Sequence, residues 1–312
     1  MQHSENIVII GAGTMGHSIA LNFAWKGFTV TMQGQDDADL DRGRAGIKSK
    51  LAVMVREGLV AEAEETLILD RIVCTTSLEK AVVQASFIIE AAPEILTLKH
   101  ELFAKLEGLC APEVIFASNT SGLKPGLIAE PLQHPERFLV MHFWNPAHLV
   151  PLVEVVPAAA TSQQTIEASF ALLNQLGKKA ILVRKEIPGF ISNRLQFALL
   201  REAQYLLEQG VASQEDIDAA VTYSIGRRLP VTGPFLSADL GGLDVFDNIS
   251  AYLFPNLSNA GESSATMKKL VSDGNFGAKS GQGFYNWQEE GSHISERREK
   301  MLIRFLKLDE DA

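Results

Sequence analysis

A histidine and a carboxylate occupy two neighbouring β-branched runs of the sequence. His142 follows the run 137–141, and Glu154 lies inside the run 152–156, with turn-like residues at 145–151 between them. An unpaired carboxylate among valines would be costly to bury, and a carboxylate beside an imidazole orients it and supports the proton that it accepts. The pair predicts a general base. The competing interpretation is a structural histidine, with Glu154 facing water.

Hydroxyl and amide side chains follow another predicted strand. Ser118, Asn119, Thr120 and Ser121 come at the end of the run 114–118. The carboxyl edge of a parallel sheet is where ligands bind in open α/β folds. These groups are suited to holding a cofactor and a substrate oxygen, although simple turn chemistry uses the same residue types.

A glycine-rich loop directly follows the first predicted strand, 6–10. In the run Gly-Ala-Gly-Thr-Met-Gly, Gly11 permits a tight turn, Gly13 lets a pyrophosphate approach the backbone, and Gly16 lets helix and strand pack closely. Thr14 and Met15 then open the helix whose N-terminus would receive the phosphates. The pattern predicts a dinucleotide site. Its alternative is a tight turn from strand to helix.

The end of the second strand indicates which dinucleotide binds. An acid is expected about 20 positions on to bind the ribose hydroxyls, but Gly34 stands there and Asp36 follows slightly later. Asp36 and Asp37, with no Arg or Lys beside them, would repel a 2′-phosphate, which favours NAD over NADP. A solvated helix start explains the two aspartates equally well.

The elements that must position these residues fall into two kinds. Up to about residue 185, strand-like runs alternate with helical patterns at 14–26, 37–57, 94–109 and 162–176, which predicts an α/β domain with a parallel, doubly wound sheet. Beyond Pro188 the pattern is helical alone, at 190–209, 213–225, 237–254, 265–273 and about 294–308. We therefore expect an α/β domain over 1–187 and an all-α domain over 188–312.

Composition excludes several classes of protein. The net charge of −10 argues against nucleic acid bound through its phosphates, and the longest apolar runs fall far short of a membrane span. Cys74 and Cys110 form neither a disulfide framework nor a metal set, and with no visible secretion signal they fit a reducing cytoplasm. No metal site is expected. His17 is predicted on a helix surface.

Seven segments together resemble the L-3-hydroxyacyl-CoA dehydrogenase family, in the right order from about residue 5 to 287. The family includes 3-hydroxybutyryl-CoA dehydrogenase and relatives similar to L-gulonate 3-dehydrogenase (lambda-crystallin). The segments that carry the resemblance are 11–16, 90–94, 118–121, 142–146, 152–156, 188–194 and 277–285.

The resemblance implies a role for each matching residue. His142 would be the general base that takes the proton of the C3 hydroxyl, oriented by Glu154, while Ser121 would bond the reacting oxygen and Asn193 of the helical domain would help to place the substrate. The residues that fall where the family contacts its NAD cofactor are Ala92, Glu94, Lys99, Asn119 and Asn145. The resemblance further implies a Rossmann-type N-terminal domain, a homodimer formed through the helical domain, and a place in fatty acid metabolism.

The substrate remains open between two chemical forms. The first is a 3-hydroxyacyl-CoA, with a short chain because Phe143 and Trp144 bring bulk near the site. Basic residues of the helix 37–57 could bind the CoA phosphates. The alternative is that these basic residues form a solvated surface. The second is a free 3-hydroxy acid such as L-gulonate or carnitine, because residues 148–154 are similar to those relatives. A nicotinamide-binding protein without catalysis is the third candidate. The partner is in each case a small molecule.

Overall fold

The structure is a computed structural model that describes residues 5–310, except for the side chains of Glu289, Glu290, Ser292 and Glu310. The described chain divides into two compact units. One comprises residues 5–191 together with 297–310, and the other is Ser192–Glu296. The sequence-based division, 1–187 and 188–312, placed the C-terminal residues with the helical domain, whereas in the structure residues 297–310 pack with the first unit.

The first unit is built on one eight-stranded sheet. Its strands are β1 (Asn6–Ile10), β2 (Thr29–Gln33), β3 (Ile72–Thr75), β4 (Phe87–Glu90), β5 (Ile115–Ser118), β6 (Phe138–Phe143), β7 (Leu152–Pro157) and β8 (Lys179–Leu182). Their order across the sheet is β3-β2-β1-β4-β5-β6-β7-β8. All neighbours are parallel except β6 and β7, which are antiparallel.

Helices cover this sheet. They are α1 (Thr14–Trp25), α2 (Asp37–Arg56), α3 (Glu65–Asp70), α4 (Leu78–Val82), α5 (Leu96–Leu109), α6 (Pro125–Ala129) and α7 (Gln163–Gln175), with short 3₁₀ turns at Glu62–Glu64 and Pro135–Arg137. The four long helical patterns predicted from the sequence are confirmed to within two residues at each end. The short helices α3, α4 and α6 gave no such signal.

Alternation along β1 explains why both faces of the sheet are covered. Ile7 and Ile9 belong to one buried apolar cluster, and Val8 and Ile10 belong to another. Successive side chains of a strand point to opposite faces, so a run of consecutive apolar residues requires a core on each side. This is the doubly wound α/β arrangement that the sequence predicted.

The second unit is helical. It contains α8 (Ser192–Glu208), α9 (Gln214–Tyr223), α10 (Ile225–Arg228), α11 (Pro234–Gly241), α12 (Leu243–Leu253), a 3₁₀ turn at Phe254–Asn256, and α13 (Ala265–Ser272). The single helix predicted over 237–254 is wrong, because Gly242 adopts φ 91° and separates α11 from α12. A left-handed backbone at this glycine ends a helix.

The last helix, α14 (Trp287–Glu310), begins earlier than the predicted 294–308. Its residues from 297 onward belong to the first unit, where Ile303 is buried. Among residues 5–310, no helix is both long enough and apolar enough to cross a membrane.

Candidate active site

The glycine loop has the geometry that its spacing predicted. Gly11 has φ 103°, and a Cβ there would lie 2.7 Å from the carbonyl oxygen of Ala91. A Cβ at Gly16 would lie 1.8 Å from the carbonyl oxygen of Gly11. Both positions therefore exclude a side chain, one at the turn and the other where α1 packs against it.

Gly13 is different from its two neighbours in the motif. It is the N-cap of α1, and a Cβ at this position would meet no atom within 4 Å. The protein itself does not require glycine here, so the open space suits a ligand that approaches the backbone. Thr14 is exposed and Met15 is partly exposed at the start of α1. The N–H groups of a first helical turn attract phosphate, and the loop fits a dinucleotide.

The end of β2 is crowded at the position where the acid was expected. A Cβ at Gly34 would lie 2.7 Å from the side chain of Leu40, so a carboxylate at this position would require Leu40 to shift. Asp36 is the N-cap of α2, and its Oδ1 accepts a 2.7 Å hydrogen bond from the backbone N–H of Asp39. Asp36 therefore has a structural task, and its contact with the ribose stays a prediction.

A buried carboxylate that sequence reasoning gave no role stands at the end of β4. Glu90 is fully buried, and its Oε1 accepts hydrogen bonds from Lys99 Nζ at 2.6 Å and from the backbone N–H of Ala92 at 2.7 Å. Its Oε2 accepts a 2.5 Å hydrogen bond from Ser118 Oγ. One carboxylate thus connects the ends of β4 and β5 with α5.

Glu94 extends this network towards solvent. Oε1 accepts hydrogen bonds from the Thr120 hydroxyl and from the backbone N–H of Ser121 at 3.1 Å, and Oε2 lies 3.3 Å from Lys99 Nζ. Burial alone would raise the pKa of Glu94, but the hydrogen bond from Thr120 and the charge of Lys99 bring it below its ordinary value. Glu94 is therefore anionic at neutral pH and holds the 120–121 loop in place.

Lys99 lies inside this network. Its side chain is 1% exposed, and its ammonium contacts both carboxylates. The geometry assigns Lys99 the task of positioning Glu94 and Glu90. The predicted contacts of Ala92, Glu94 and Lys99 with the cofactor remain predictions.

Asn119 connects this loop to the neighbouring strand. Its Oδ1 accepts a 2.9 Å hydrogen bond from the backbone N–H of Phe143, the residue after His142. The loop at the end of β5 is thereby fixed against the end of β6. The sheet edge predicted to hold the site brings Asn119 and His142 together.

His142 and Glu154 form the predicted pair. They are direct partners in the antiparallel register of β6 and β7, and His142 Nδ1 lies 2.8 Å from Glu154 Oε2. The backbone N–H of Ile191 donates a 2.9 Å hydrogen bond to Glu154 Oε1. Both residues are buried. The strand predicted over 137–141 is wrong at its end, because β6 continues to Phe143 and His142 lies inside it.

The pairing decides which ring nitrogen carries a proton. A carboxylate only accepts hydrogen bonds, so Nδ1 of a neutral His142 must be the donor to Glu154. Nε2 is then the nitrogen with a lone pair that can accept a proton. This is the tautomer that a general base requires.

Two aromatic rings flank His142. Trp144 and Phe190 lie 5.6 Å and 5.7 Å from the imidazole, measured between ring centroids. Phe190 is fully buried and has φ 49°, a backbone conformation that side chains rarely adopt. The turn that forces this conformation also presents the N–H of Ile191 to Glu154, so the strained residue helps to hold the pair.

Phe143 does not lie at the site as predicted. It is buried in the main apolar cluster, 6.5 Å from the ring of Phe23. Since alternate residues of a strand point to opposite faces, Phe143 faces away from His142. The bulk near the base comes from Trp144, as predicted, and from Phe190, which the sequence pattern placed at the start of a helix.

A second buried polar cluster was not recognised from the sequence. His148 is buried, and its Nδ1 lies 2.9 Å from Ser18 Oγ. Burial and the charge of Lys50 lower the pKa of His148 to about 3. His17 is also buried, because Gly46 of α2 lies directly over its ring. The prediction that His17 lies on a helix surface is therefore wrong.

Lys178 supports the turn beyond the site. Its ammonium donates hydrogen bonds to the carbonyl oxygens of Ala147 at 2.6 Å and Val150 at 2.9 Å. Burial and the charge of Lys26 lower the pKa of Lys178 to about 7. Lys178 therefore fixes the segment between β6 and β7, which carries Trp144 and Asn145.

The remaining predicted residues have clear places in the chain. Ser121 is exposed in the loop after β5, and Asn145 is exposed and precedes a cis proline, Pro146. Asn193 is the second residue of α8, in the second unit. Among the residues that the structure describes, no cluster of His, Cys, Asp and Glu could hold a metal ion.

The fold and the site define a class of protein. A glycine loop begins a doubly wound domain, with open space beside Gly13 at the N-cap of α1. An oriented histidine, His142, lies at the carboxyl edge of the same sheet. Such a site suits a dehydrogenase, in which a bound dinucleotide accepts the hydride and the protein supplies orientation and a base.

Comparisons with known proteins give the family. The family described as "3-hydroxyacyl-CoA dehydrogenase, NAD binding domain" matches residues 6–187, and "3-hydroxyacyl-CoA dehydrogenase, C-terminal domain" matches residues 189–287. The chain belongs to this family of NAD-dependent oxidoreductases. Its resemblance to the family, its fold class and its cofactor, NAD, are thereby confirmed.

Two similar proteins and one solved structure illustrate the range of the family. The 5-formyl-3-hydroxy-2-methylpyridine 4-carboxylate 5-dehydrogenase of Mesorhizobium japonicum is 32% identical over 96% of both chains. A probable 3-hydroxybutyryl-CoA dehydrogenase of Bacillus subtilis is 36% identical over 92% of this chain and 99% of its own. A crystal structure titled as an NAD+-dependent dismutase, also a 5-dehydrogenase of that pyridine carboxylic acid, has a TM-score of 0.90 at 32% identity and covers 99% of this chain and 98% of its own.

Proposed function

We propose that the protein transfers a hydride between C3 of a short 3-hydroxyacyl group and the nicotinamide of NAD. The observation that carries this proposal is the buried pair of His142 and Glu154, 2.8 Å apart. In the oxidative direction Nε2 of His142 takes the proton of the C3 hydroxyl, and Glu154 stabilises the imidazolium that results. NAD, when bound, would supply the hydride acceptor.

The substrate oxygen and the cofactor require further residues. Ser121 donates to the reacting oxygen and Asn193 helps to place the substrate in this proposal, both by similarity to the family. Asn119 and Asn145, with Ala92, Glu94 and Lys99, hold the nicotinamide half of NAD, while Gly11, Gly13, Thr14, Met15 and Gly16 receive its pyrophosphate and Asp36 its ribose. The open space at Gly13 supports the placement of the pyrophosphate.

A short acyl chain is supported by the two rings beside the base. Trp144 and Phe190 both lie within 6 Å of the imidazole, at 5.6 Å and 5.7 Å, which limits the bulk of a group bound there. The acyl group has two candidate carriers, a CoA thioester and a free carboxylate. The family description favours the first, and the pyridine carboxylate relative favours the second.

The competing function is a nicotinamide-binding protein without catalysis. A protein that only binds NAD has no need for a buried imidazole paired with a carboxylate, whose burial is costly. Purified protein should form or consume NADH with acetoacetyl-CoA, acetoacetate, L-gulonate or carnitine, measured by absorbance. NAD binding without turnover on any of these substrates would favour the competing function.

A homodimer in the cytoplasm completes the proposal. Several large apolar side chains of the second unit are exposed, among them Phe235 at 88% and Val231 at 81%. An apolar surface of this kind is typical of a contact with another protein, and a second copy is the partner that the family implies. The free thiols of Cys74 and Cys110 support a reducing compartment. Light scattering on the purified protein tests the dimer, and a monomer at micromolar concentration would contradict it.

A further inference from the structure

The terminal half of α14 is attached to two places on the first unit. At one end, Arg298 Nη2 donates a 3.3 Å hydrogen bond to the carbonyl oxygen of Asn145. At the other end, Lys307 Nζ donates a 2.7 Å hydrogen bond to the carbonyl oxygen of Glu57, which follows α2. Ile303, between them, is 1% exposed. This part of the chain follows residue 287, where the family match ends.

These attachments place the helix along one side of the site. Asn145 follows Trp144, whose ring lies 5.6 Å from that of His142. Arg298 and Lys307 are nine residues apart, which is about 14 Å along a helix. The terminal half of α14 therefore runs from the turn beside the base to the end of α2, and it covers the surface between them.

Three arginines and one lysine of α2 have charged neighbours within the protein. Arg42, Arg44 and Arg56 form ion pairs with Asp39, Asp41 and Glu57 at 3.2, 3.0 and 3.3 Å. Lys50 is half-buried, and burial lowers its pKa although Glu299 of α14 acts in the opposite direction. A carboxylate of α14 thus faces the lysine at the middle of α2. These ion pairs and the burial of Lys50 reduce the positive charge that α2 offers to CoA phosphates.

Arg298 also brings a positive charge to the turn between β6 and β7, which carries Trp144 and Asn145. A guanidinium has five N–H donors, and the hydrogen bond to Asn145 engages one of its nitrogens. The other donors can form a two-pronged contact with a carboxylate. A free hydroxy acid carries such a carboxylate, whereas a thioester does not.

We propose that the terminal half of α14 selects free hydroxy acids over CoA thioesters, by covering the path to α2 and by presenting Arg298 to the substrate carboxylate. This inference rests on the proposed function, since it names the carrier of the acyl group. It makes α14 a determinant of specificity outside the part of the chain that the family match covers. His142 and Glu154 act in the same way on either substrate.

The experiment compares three forms of one acyl group, with NADH as reductant: acetoacetate, acetoacetyl-CoA, and the acetoacetyl thioester of N-acetylcysteamine, which has no nucleotide. The wild-type protein should reduce acetoacetate with the highest kcat/KM. The compact thioester should follow, and acetoacetyl-CoA should be the poorest substrate. A wild-type preference for acetoacetyl-CoA would overturn the inference and leave the proposed function intact. Reduction of none of the three would overturn both.

Variants separate the two parts of the proposal. Arg298→Gln should lower kcat/KM for acetoacetate at least about tenfold more than it lowers kcat/KM for the compact thioester, as expected for loss of a charge-assisted contact. Arg297→Gln, the adjacent arginine, is the matched control. Equal effects of the two substitutions would contradict the role of Arg298.

A second variant weakens the attachment of α14 without changing the turn between β6 and β7. Lys300→Met with Lys307→Met removes both contacts of α14 with Glu57, of which the first is a 3.7 Å ion pair and the second a 2.7 Å hydrogen bond. Activity with acetoacetyl-CoA should rise about fivefold or more relative to acetoacetate, because weak surface contacts hold the helix in place. Thermal unfolding checks that the variant is folded. An unchanged ratio in a folded variant would contradict the covering role.

Discussion

Both carboxylate oxygens of Glu154 accept a hydrogen bond, Oε2 from His142 Nδ1 at 2.8 Å and Oε1 from the backbone N–H of Ile191 at 2.9 Å. The first bond sets the tautomer of the imidazole, and the second fixes the carboxylate from the strained turn at Phe190. A buried charge that is fully hydrogen-bonded in this way is held rigidly. The base is therefore oriented before any substrate binds, which is the condition for efficient proton transfer.

The role of Glu154 predicts a large loss of turnover in Glu154→Gln. The amide can donate a hydrogen bond to Nδ1 and so favours the wrong tautomer, with the proton on Nε2. We expect kcat to fall by about 10²–10⁴-fold, while NAD binding, measured by fluorescence titration, changes little. Circular dichroism serves as the folding control. A folded variant with more than a tenth of the wild-type kcat would contradict this role.

Gly13 and Gly16 of the loop should respond differently to substitution by alanine. Gly16→Ala places a Cβ 1.8 Å from the carbonyl oxygen of Gly11, so we expect a large loss of thermal stability. Gly13→Ala meets open space in the protein, so its melting temperature should stay near that of the wild type while its affinity for NAD falls. Isothermal titration calorimetry measures the affinity. Unchanged NAD affinity in Gly13→Ala would contradict the proposal that this loop binds the phosphates of NAD.

The buried pair of Lys99 and Glu90 predicts a non-additive effect on stability. Lys99→Met leaves Glu90 charged, fully buried and without its cation, which should lower the free energy of unfolding by about 3–5 kcal/mol. The double variant with Glu90→Gln should recover part of this loss. Urea unfolding of the two single variants and the double variant gives the coupling. Strict additivity would show that the two side chains do not interact.

The buried ammonium of Lys178 predicts a dependence of stability on pH. Its pKa is lowered from 10.5 to about 7, so between these values the unfolded chain binds more protons than the folded one. The free energy of unfolding must then rise with pH over this interval. Lys178→Met should lose that rise, and Lys179→Met, which changes an exposed neighbour, should keep it. If the free energy of unfolding rose equally with pH in both variants, Lys178 would not be the cause of the pH dependence.

Sequence reasoning found the parts of the site whose cause is local. The glycine motif is constrained by atoms close along the chain, and Glu154 was recognisable because a lone carboxylate among valines needs a partner. His142 and Glu154 are only 12 residues apart, on strands joined by a short turn. In such cases the spacing predicts the contact.

Other parts depend on partners that lie far apart in the sequence. Ser18 and His148 are 130 residues apart, and Lys307 and Glu57 are 250 residues apart. Nothing in the local pattern distinguishes Lys99 from an ordinary surface lysine of an amphipathic helix. The direction of Phe143 was predictable from strand alternation, but only if β6 had been extended through His142.

The central claim is that His142 acts as the base, and single-turnover kinetics test it most directly. His142→Gln and the wild type are each mixed with NAD and a 3-hydroxybutyryl substrate, as the free acid and as the CoA thioester, and NADH formation is followed by stopped-flow absorbance. We predict that the variant binds NAD with wild-type affinity and forms NADH at least about 100-fold more slowly. NADH formation at the wild-type rate in a folded His142→Gln variant would contradict the account.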